Sequence, residues 1–258
     1  MNPAPAARSA VVFDLDGTLV DPAGAITNGI AEALAAHGVP VPSQQVLDAM
    51  IGPPLATSVA AVPGVRPEDV QSIIDHYRAG YLAHGMADSR VYPGIVDLLE
   101  DLGRRGIARA VATSKPVDMA RRLLRIQGLD GLFETVHGAD PDEAKPHAGK
   151  AAIVAEALAA LGLAEVGPEE RGRRAVMVGD RYFDIEGAHA HGLPCIGVEW
   201  GYAPEGELAA ADADAVVSEA GALRAALGRL LPDLGDPADH GEADEAPAVA
   251  GTGSEEAH

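Results

Sequence analysis

Two aspartates, Asp14 and Asp16, are the residues whose type and spacing point most directly to chemistry. They stand one residue apart, where the apolar run 10–13 gives way to Gly17 and Thr18. This position predicts the carboxyl end of a buried strand, the edge at which open α/β sheets bind ligands. Close carboxylates oppose each other's ionisation, and a hard cation such as Mg²⁺ relieves that repulsion. The alternative is an aspartate-rich turn that caps a helix.

A second acidic cluster follows another apolar run, residues 175–178, where Gly179 is followed by Asp180. Asp184 would lie one helical turn beyond Asp180 if a helix begins there. Each cluster alone would also suit a helix N-cap, but two clusters at two strand ends could converge on one metal. The sequence therefore makes a shared metal site the stronger interpretation.

A third predicted strand, residues 108–112, ends in the hydroxyl residues Thr113 and Ser114. A threonine hydroxyl and the N–H groups at the start of the following helix form a natural anion site. The alternative is that either hydroxyl only caps the helix expected from Val117.

Two lysines, Lys145 and Lys150, precede or begin a helical pattern at 151–161. A cation at that position would neutralise charge among aspartates and phosphate oxygens. An isolated lysine is more often a solvated surface group, so this feature gains weight only beside the others.

The apolar runs predict an α/β fold with a Rossmann-like parallel sheet and helices on both faces, because polar or glycine-rich residues and a helical pattern follow each run. The four clear runs are 10–13, 108–112, 175–178 and 195–198, and weaker ones lie at 135–137 and 215–217.

The long segment between the first two strands exceeds what a single crossover helix requires. Helical spacing recurs at 26–37, 43–49 and 67–84, with large apolar residues at amphipathic positions. We therefore expect an inserted α-helical cap domain at 22–90, rather than a disordered loop, and a core domain made of residues 1–21 and 91–231. Residues 232–258 are rich in small and acidic residues, which predicts a disordered acidic tail.

Charge and composition exclude several classes of protein. The formal net charge is −20. Without the tail, 31 acidic residues stand against 19 basic ones, a balance that repels nucleic-acid polymers. Cys195 is the only cysteine, so no intrachain disulfide is expected. We find neither a signal peptide nor an apolar run of about 18 residues, so we expect a cytoplasmic protein without a membrane partner.

In this order, the four motifs resemble those of the haloacid dehalogenase-like hydrolase superfamily, and in particular its phosphoglycolate phosphatase-like branch. They are Asp14-Leu15-Asp16-Gly17-Thr18, Thr113-Ser114, a lysine at a helix start, and Gly179-Asp180 with Asp184. Together with the segment 192–202, the resemblance covers nearly everything before the tail.

The resemblance implies catalytic roles for the first motif. Asp14 matches the nucleophile that forms an aspartyl-phosphate, and Asp16 matches the general acid/base. Mg²⁺ would be held by the side chain of Asp14, the backbone carbonyl of Asp16 and Asp180, and Asp184 would support that site.

The other motifs are implied to handle phosphate and substrate choice. The Thr113 hydroxyl and the Ser114 N–H would bind phosphate. Lys150 is favoured as the charge-balancing lysine because the helix begins directly after it, and Lys145, which is followed by proline as in the common form of the motif, is the runner-up. Gly52, within residues 51–55, matches a specificity loop, although an ordinary Pro-Gly turn is the simpler interpretation.

The expected activity is Mg²⁺-dependent hydrolysis of a small phosphomonoester metabolite by a phosphoric monoester hydrolase, acting as a monomer or homodimer. Phosphoglycolate is the first expected substrate, and a nucleoside monophosphate is the second. A phosphosugar mutase and a non-catalytic binding protein on the same scaffold are the alternatives. Asp16 argues against a dehalogenase, and the absence of lysine before Arg90 argues against phosphonate hydrolysis.

Overall fold

The structure is a computed structural model that describes residues 8–140 and 149–234. In chain order, its strands are β1 (Ala10–Phe13), β2 (Val20–Asp21), β3 (Arg90–Val91), β4 (Ala108–Pro116), β5 (Thr135–Ala139), β6 (Ala175–Gly179), β7 (Cys195–Val198) and β8 (Ala215–Val217). Six of them form one parallel sheet in the order β5-β4-β1-β6-β7-β8, and β2 pairs with β3 as an antiparallel ribbon.

Some of the α-helices pack on the two faces of this sheet, and others lie between β2 and β3 in chain order. They are α1 (Ala25–Ala36), α2 (Gln44–Ala49), α3 (Leu55–Ala60), α4 (Val70–Gly80), α5 (Met86–Asp88), α6 (Ile95–Arg104), α7 (Val117–Ile126), α8 (Gly149–Ala160), α9 (Pro168–Arg174), α10 (Tyr182–His189), α11 (Glu207–Ala210) and α12 (Ala220–Leu230). The predicted α/β class and parallel sheet are confirmed.

The sheet buries both faces because alternate side chains of each strand point to opposite sides. Val11 and Phe13 of β1 belong to an apolar cluster that includes the buried faces of α6, α7 and α12. Ala10 and Val12 belong to a second cluster with α8 and α10. Residues buried on both faces explain why the strands are continuous apolar runs in the sequence.

The helical insert lies between β2 and β3 and consists of α1 to α5, with a 3₁₀ turn at Pro67–Asp69 and a π-helical turn at Tyr81–Gly85. Apolar residues of α1, such as Ile30 and Leu34, share a cluster with Ile73 and Ile74 of α4. Helix α3 lies outside the predicted helical segments. The helices fall within the expected cap at 22–90, and its status as a separate domain stays a proposal.

The predicted start of the disordered tail at residue 232 is wrong for three residues. Pro232–Leu234 form a 3₁₀ turn, and Leu234 is fully buried in the apolar cluster of α12. Its carbonyl accepts a hydrogen bond from Arg105 at 2.8 Å, which fixes the backbone of the turn. Residues 235–258 lie outside the described part of the chain. Within the described ranges, no helix is long and apolar enough to cross a membrane.

Candidate active site

The ends of three neighbouring strands meet at one edge of the sheet. Asp14 directly follows β1, Asp180 directly follows β6, and Thr113 lies near the carboxyl end of β4. Because β1 lies between β4 and β6 and all three are parallel, these side chains come from adjacent positions. The Asp14 N–H donates to the Val178 carbonyl at 2.9 Å, so the sheet pairing fixes the backbone of this aspartate.

The end of β4 is irregular, and this corrects one expectation. The strand extends to Pro116, four residues beyond its predicted end, and its pairing with β5 shifts between Thr113 and Pro116. The residue that precedes α7 is Pro116, and no side chain caps the helix. The alternative in which Thr113 or Ser114 caps this helix is therefore wrong. The Oγ1 atom of Thr113 instead accepts the Lys115 N–H at 3.2 Å.

Three carboxylates form the acidic centre of the site. Asp14, Asp180 and Asp184 each place an oxygen within 4.8 Å of the others, and none is more than 5% exposed. Burial raises the pKa of Asp180, and the charges of the other two aspartates raise it further. Burial also raises the pKa of Asp184 to about 6, despite the opposing charge of Lys150. Three converging carboxylates suit a hard divalent cation, which prefers oxygen ligands and would offset their repulsion.

Close backbone approach holds Asp180 in this centre. Its Oδ2 atom accepts the Tyr202 N–H at 2.8 Å. Gly17 has a φ of +85°, and a Cβ there would lie 2.1 Å from the same oxygen. A Cβ at Gly201 would lie 2.3 Å from Cβ of Asp180. The two glycines are therefore required for the backbones of distant segments to surround this carboxylate.

Lys150 joins the acidic centre from α8. Its Nζ atom lies 2.6 Å from Oδ1 of Asp14 and 2.6 Å from Oδ1 of Asp184, and its side chain is 6% exposed. Burial alone would lower the pKa of this lysine, but the two carboxylates raise it above the ordinary value, so it stays charged. A Cβ at Gly187 would lie 2.8 Å from Cγ of Lys150, so α10 leaves room for the lysine stem. Lys145, the other candidate, lies outside the described residues.

Asp16 has a different environment from Asp14. Its Oδ2 atom lies 2.8 Å from Nζ of Lys115, whereas its buried Oδ1 atom has no hydrogen-bond partner in the described part of the chain. Burial raises the pKa of Asp16, and Lys115 opposes the shift. Lys115 also donates to the Tyr81 hydroxyl at 3.3 Å and lies 4.5 Å from the centroid of that ring. The helical insert therefore contacts the lysine that holds Asp16.

A cavity of about 550 Å³ is lined by residues of the sheet edge and of the helical insert. Asp14, Asp16, Thr113 and Ser114 line it on the sheet side. Gly52, with a φ of +104°, also lines it, together with its neighbours in the loop between α2 and α3. The cavity thus brings together the residues predicted for nucleophilic attack, proton transfer, phosphate binding and specificity, while their roles stay predictions.

Sequence reasoning missed three side chains at this site: Lys115, Tyr81 and Arg181. Lys115 carried a signal, because it directly follows the hydroxyl pair Thr113-Ser114 at a strand end. The sequence around Tyr81 gave no such indication, because no local pattern relates this residue of the insert to Lys115, which lies 34 residues later. Arg181 follows Asp180, but its side chain is directed to Ile51 on the insert.

The comparisons with known proteins agree with this fold. Residues 11–198 match the family described as haloacid dehalogenase-like hydrolase. This match covers well over half of the chain, and the protein belongs to that family. Three similar proteins indicate which members of this family it resembles in sequence.

The tyrosine-protein kinase PtkA of Mycobacterium tuberculosis is 42% identical over 192 residues, which are 74% of this chain and 62% of that protein. This chain therefore spans less than two thirds of the length of PtkA. The solved structure of PtkA superposes with a TM-score of 0.70 at 37% identity, covering 86% of this chain and 99% of the solved chain.

Two relatives match over nearly their whole length. A 5'-nucleotidase of Pseudomonas aeruginosa is 36% identical, with 84% of this chain and 94% of that protein covered. A phosphoglycolate phosphatase of Yersinia pestis is 32% identical, with 88% and 95% covered. The predicted resemblance to this superfamily and to its phosphoglycolate phosphatase-like members is confirmed.

Proposed function

We propose that this protein hydrolyses a small phosphomonoester through an aspartyl-phosphate on Asp14. The observation that carries the proposal is the buried contact between Asp14 and Lys150, at 2.6 Å, beside a cavity that Thr113 and Ser114 also line. The lysine ammonium would offset the charge of an incoming phosphate. The names of the 5'-nucleotidase and phosphoglycolate phosphatase relatives support the same reaction.

In the first step, the Asp14 carboxylate attacks phosphorus and the bond to the leaving oxygen breaks. The leaving oxygen takes the electron pair and receives a proton from Asp16, whose raised pKa and unpartnered buried Oδ1 suit a general acid. The Thr113 hydroxyl and the Ser114 N–H would hold the phosphate oxygens. Asp16 then takes a proton from water, which attacks phosphorus and releases Asp14 together with inorganic phosphate.

We infer that the metal is Mg²⁺ and that Asp14, Asp180 and Asp184 hold it, because their oxygens converge and it favours carboxylate ligands. When bound, it would supply positive charge to the phosphoryl oxygens during transfer. Asp16 was also predicted as a ligand through its backbone carbonyl, and that prediction stays open.

For the leaving group, the cavity favours the nucleoside monophosphate over phosphoglycolate. Glycolate occupies a small part of about 550 Å³, whereas pockets of about 300–1,000 Å³ enclose ligands the size of a nucleoside. Part of the lining is apolar, which suits a base and a sugar ring; these residues include Ile26, Met50, Ile51, Leu55, Tyr77 and Met119. We expect a higher kcat/KM for a nucleoside monophosphate than for phosphoglycolate.

The decisive experiment measures phosphate release from a panel of phosphomonoesters by the wild type and by Asp14→Asn. We expect a loss on the order of 10⁴-fold or more in kcat, as for removal of other nucleophiles, and a comparable loss with EDTA. Asp130→Asn is the matched control, since Asp130 is exposed and distant in sequence from the site motifs. Turnover that survives both the Asp14 substitution and metal removal would refute this mechanism.

The similarity to PtkA favours a second candidate, transfer of a phosphoryl group to a protein tyrosine. The phosphoryl group of Asp14 would then pass to a tyrosine hydroxyl instead of water, and Asp16 would take the hydroxyl proton. Incubation with γ-labelled ATP and a tyrosine-containing protein distinguishes the two, because only transfer yields labelled phosphotyrosine. The mutase alternative predicts isomerisation of a hexose phosphate without net phosphate release.

A further inference from the structure

Arg181 connects the sheet edge to the helical insert. It follows Asp180 directly and precedes α10, and its side chain is 5% exposed. Its Nη1 atom donates a hydrogen bond to the backbone carbonyl of Ile51, 130 residues earlier in the chain. This carbonyl begins the loop of residues 51–54, which lines the same cavity as Asp14 and Asp16.

Gly52 brings this loop close to the arginine. With its φ of +104°, a Cβ at this position would lie 3.0 Å from Cγ of Arg181. The loop therefore lies directly on the aliphatic part of the arginine as well as on its guanidinium. Two prolines, Pro53 and Pro54, follow Gly52 and restrict the loop further.

Glu207 holds the arginine in place from the core side. Its carboxylate accepts from Nε of Arg181 at 2.8 Å and from Nη2 at 3.4 Å. The same carboxylate accepts the Tyr182 N–H at 3.1 Å, and its side chain is 16% exposed. Both partners belong to the core, so the arginine keeps its orientation whether or not the loop is docked on it.

The backbone of Arg181 takes part in the acidic centre. Its N–H donates to Oδ2 of Asp184 at 3.0 Å, and Asp180 is its immediate neighbour. One residue thus contributes its backbone to the candidate metal site and its side chain to the loop across the cavity. Arg181→Met leaves this backbone hydrogen bond in place and removes only the side-chain contact with the loop.

We propose that Arg181 is a positioning residue that, oriented by Glu207, holds the loop of residues 51–54 closed over Asp14 and Asp16. This inference rests on the proposed function, since it assigns the loop to the leaving-group side of the same cavity. Substrates whose leaving groups reach the loop depend on Arg181, and substrates too small to reach it do not. The loop opens to admit substrate by breaking the bond to the Ile51 carbonyl.

The first test measures hydrogen–deuterium exchange in the peptide that spans the loop. Arg181→Met removes a hydrogen bond to a charged group, and we expect exchange of the Ile51 and Gly52 amides, the two N–H groups of the loop, to rise about 10-fold to 100-fold. If the single variant folds poorly, the double variant Arg181→Met/Glu207→Gln replaces it, because it leaves no unpaired buried charge. We expect the same rise in loop exchange in the double variant. Unchanged loop exchange in both variants would overturn the proposal, whatever the protein's activity.

A matched control comes from Arg109, another largely buried arginine that binds a carboxylate and a distant carbonyl. It donates to Glu134 at 3.1 Å and to the Leu99 carbonyl at 3.0 Å, at the opposite end of the sheet. Arg109→Met should lower stability without raising loop exchange. An equal rise of loop exchange in this control would assign the effect to general destabilisation and overturn the proposal.

The second test compares acetyl phosphate with a nucleoside monophosphate. In Arg181→Met, we expect kcat/KM for the nucleotide to fall about 10-fold or more, with most of the change in KM, and kcat/KM for acetyl phosphate to stay within about 3-fold. Arg181→Lys should recover part of the nucleotide activity because a single donor can still reach the carbonyl. Equal losses for both substrates would overturn the proposal. A wild type inactive on every phosphomonoester would refute the proposed function, and the exchange test would still decide the role of Arg181.

Discussion

Replacement of Lys150 by methionine tests the centre of the site most directly. Methionine has similar length and removes only the ammonium group, which lies 2.6 Å from carboxylates of both Asp14 and Asp184. Without it, three buried carboxylates face one another with less compensating charge. We therefore expect effects both on the stability of the metal-free protein and on turnover.

The expected loss of stability follows from the burial of this ion pair. Removing one partner of a buried pair costs about 3–5 kcal/mol, because the other charge stays buried. For a protein of this size, about 1 kcal/mol shifts Tm by roughly 2–4 °C, so the metal-free variant should unfold about 6–20 °C below the wild type. Added Mg²⁺ should recover part of this difference by restoring positive charge. Turnover with Mg²⁺ should fall about 10²-fold to 10³-fold.

The pH dependence has a definite sign. The pKa of Lys150 is raised in the folded state, so its stabilisation is complete below about pH 10 and is lost only as the pH rises through that higher value. The difference in Tm should therefore not fall on the alkaline side until the pH exceeds about 10. It should shrink towards low pH, because Asp184 takes up a proton near pH 6 in the wild type and at a higher pH in the variant, where Lys150 no longer lowers its pKa.

Thermal unfolding in EDTA and in Mg²⁺, together with phosphate release, measures both effects. Lys145→Met is the control, and it should resemble the wild type in both assays. If Lys145→Met abolishes turnover while Lys150→Met leaves it intact, the assignment of the charge-balancing lysine is wrong. An unchanged metal-free Tm for Lys150→Met would show that the ammonium does not compensate the carboxylates.

Two further predictions concern the acid/base group and the metal. Asp16→Asn should lower kcat by about 10²-fold to 10⁴-fold for alkyl phosphates and less for p-nitrophenyl phosphate, whose leaving group needs little protonation; equal losses would argue against a general acid. The metal-free Tm should rise as the pH falls from about 7.5 to 5.5, because burial raises the pKa of Asp184 to about 6 and also raises that of Asp180, so protonation stabilises the folded state. Saturating Mg²⁺ should raise Tm by roughly 5–11 °C at the higher pH, from about 2.7 kcal/mol of binding free energy, and by clearly less at the lower pH. A rise in Tm that does not depend on pH would contradict carboxylate ligands.

The sequence was sufficient to predict the sheet because strands buried on both faces leave continuous apolar runs. The runs at 10–13, 195–198 and 215–217 match β1, β7 and β8 residue for residue. The prediction stopped β4 at residue 112, although the strand extends to Pro116. Its last residues are polar because they line a cavity, and a pattern of apolar residues cannot extend a strand into a binding site.

The positions of site residues that directly follow a strand were predictable from the sequence. Contacts between residues far apart in the chain were not. Asp14 and Asp180 each follow a strand, so local pattern places them at the same edge. The contacts of Arg181 with Ile51 and Glu207 depend on how the insert lies on the core, which no local pattern encodes. Lys115 is an intermediate case. Its place after Thr113 and Ser114 indicated a position near the site, but its contact with Tyr81 could not be predicted.

The ribbon of β2 and β3 has a consequence for how such a chain can evolve. Val20 pairs with Val91 and Asp21 with Arg90, so the chain leaves the core and returns to it at adjacent positions. An insert joined at neighbouring points can lengthen, shorten or be exchanged without moving the strands that carry the aspartates. Selection can therefore change the part of the gene that encodes the helical insert while the part that encodes Asp14, Asp180 and Asp184 stays constant.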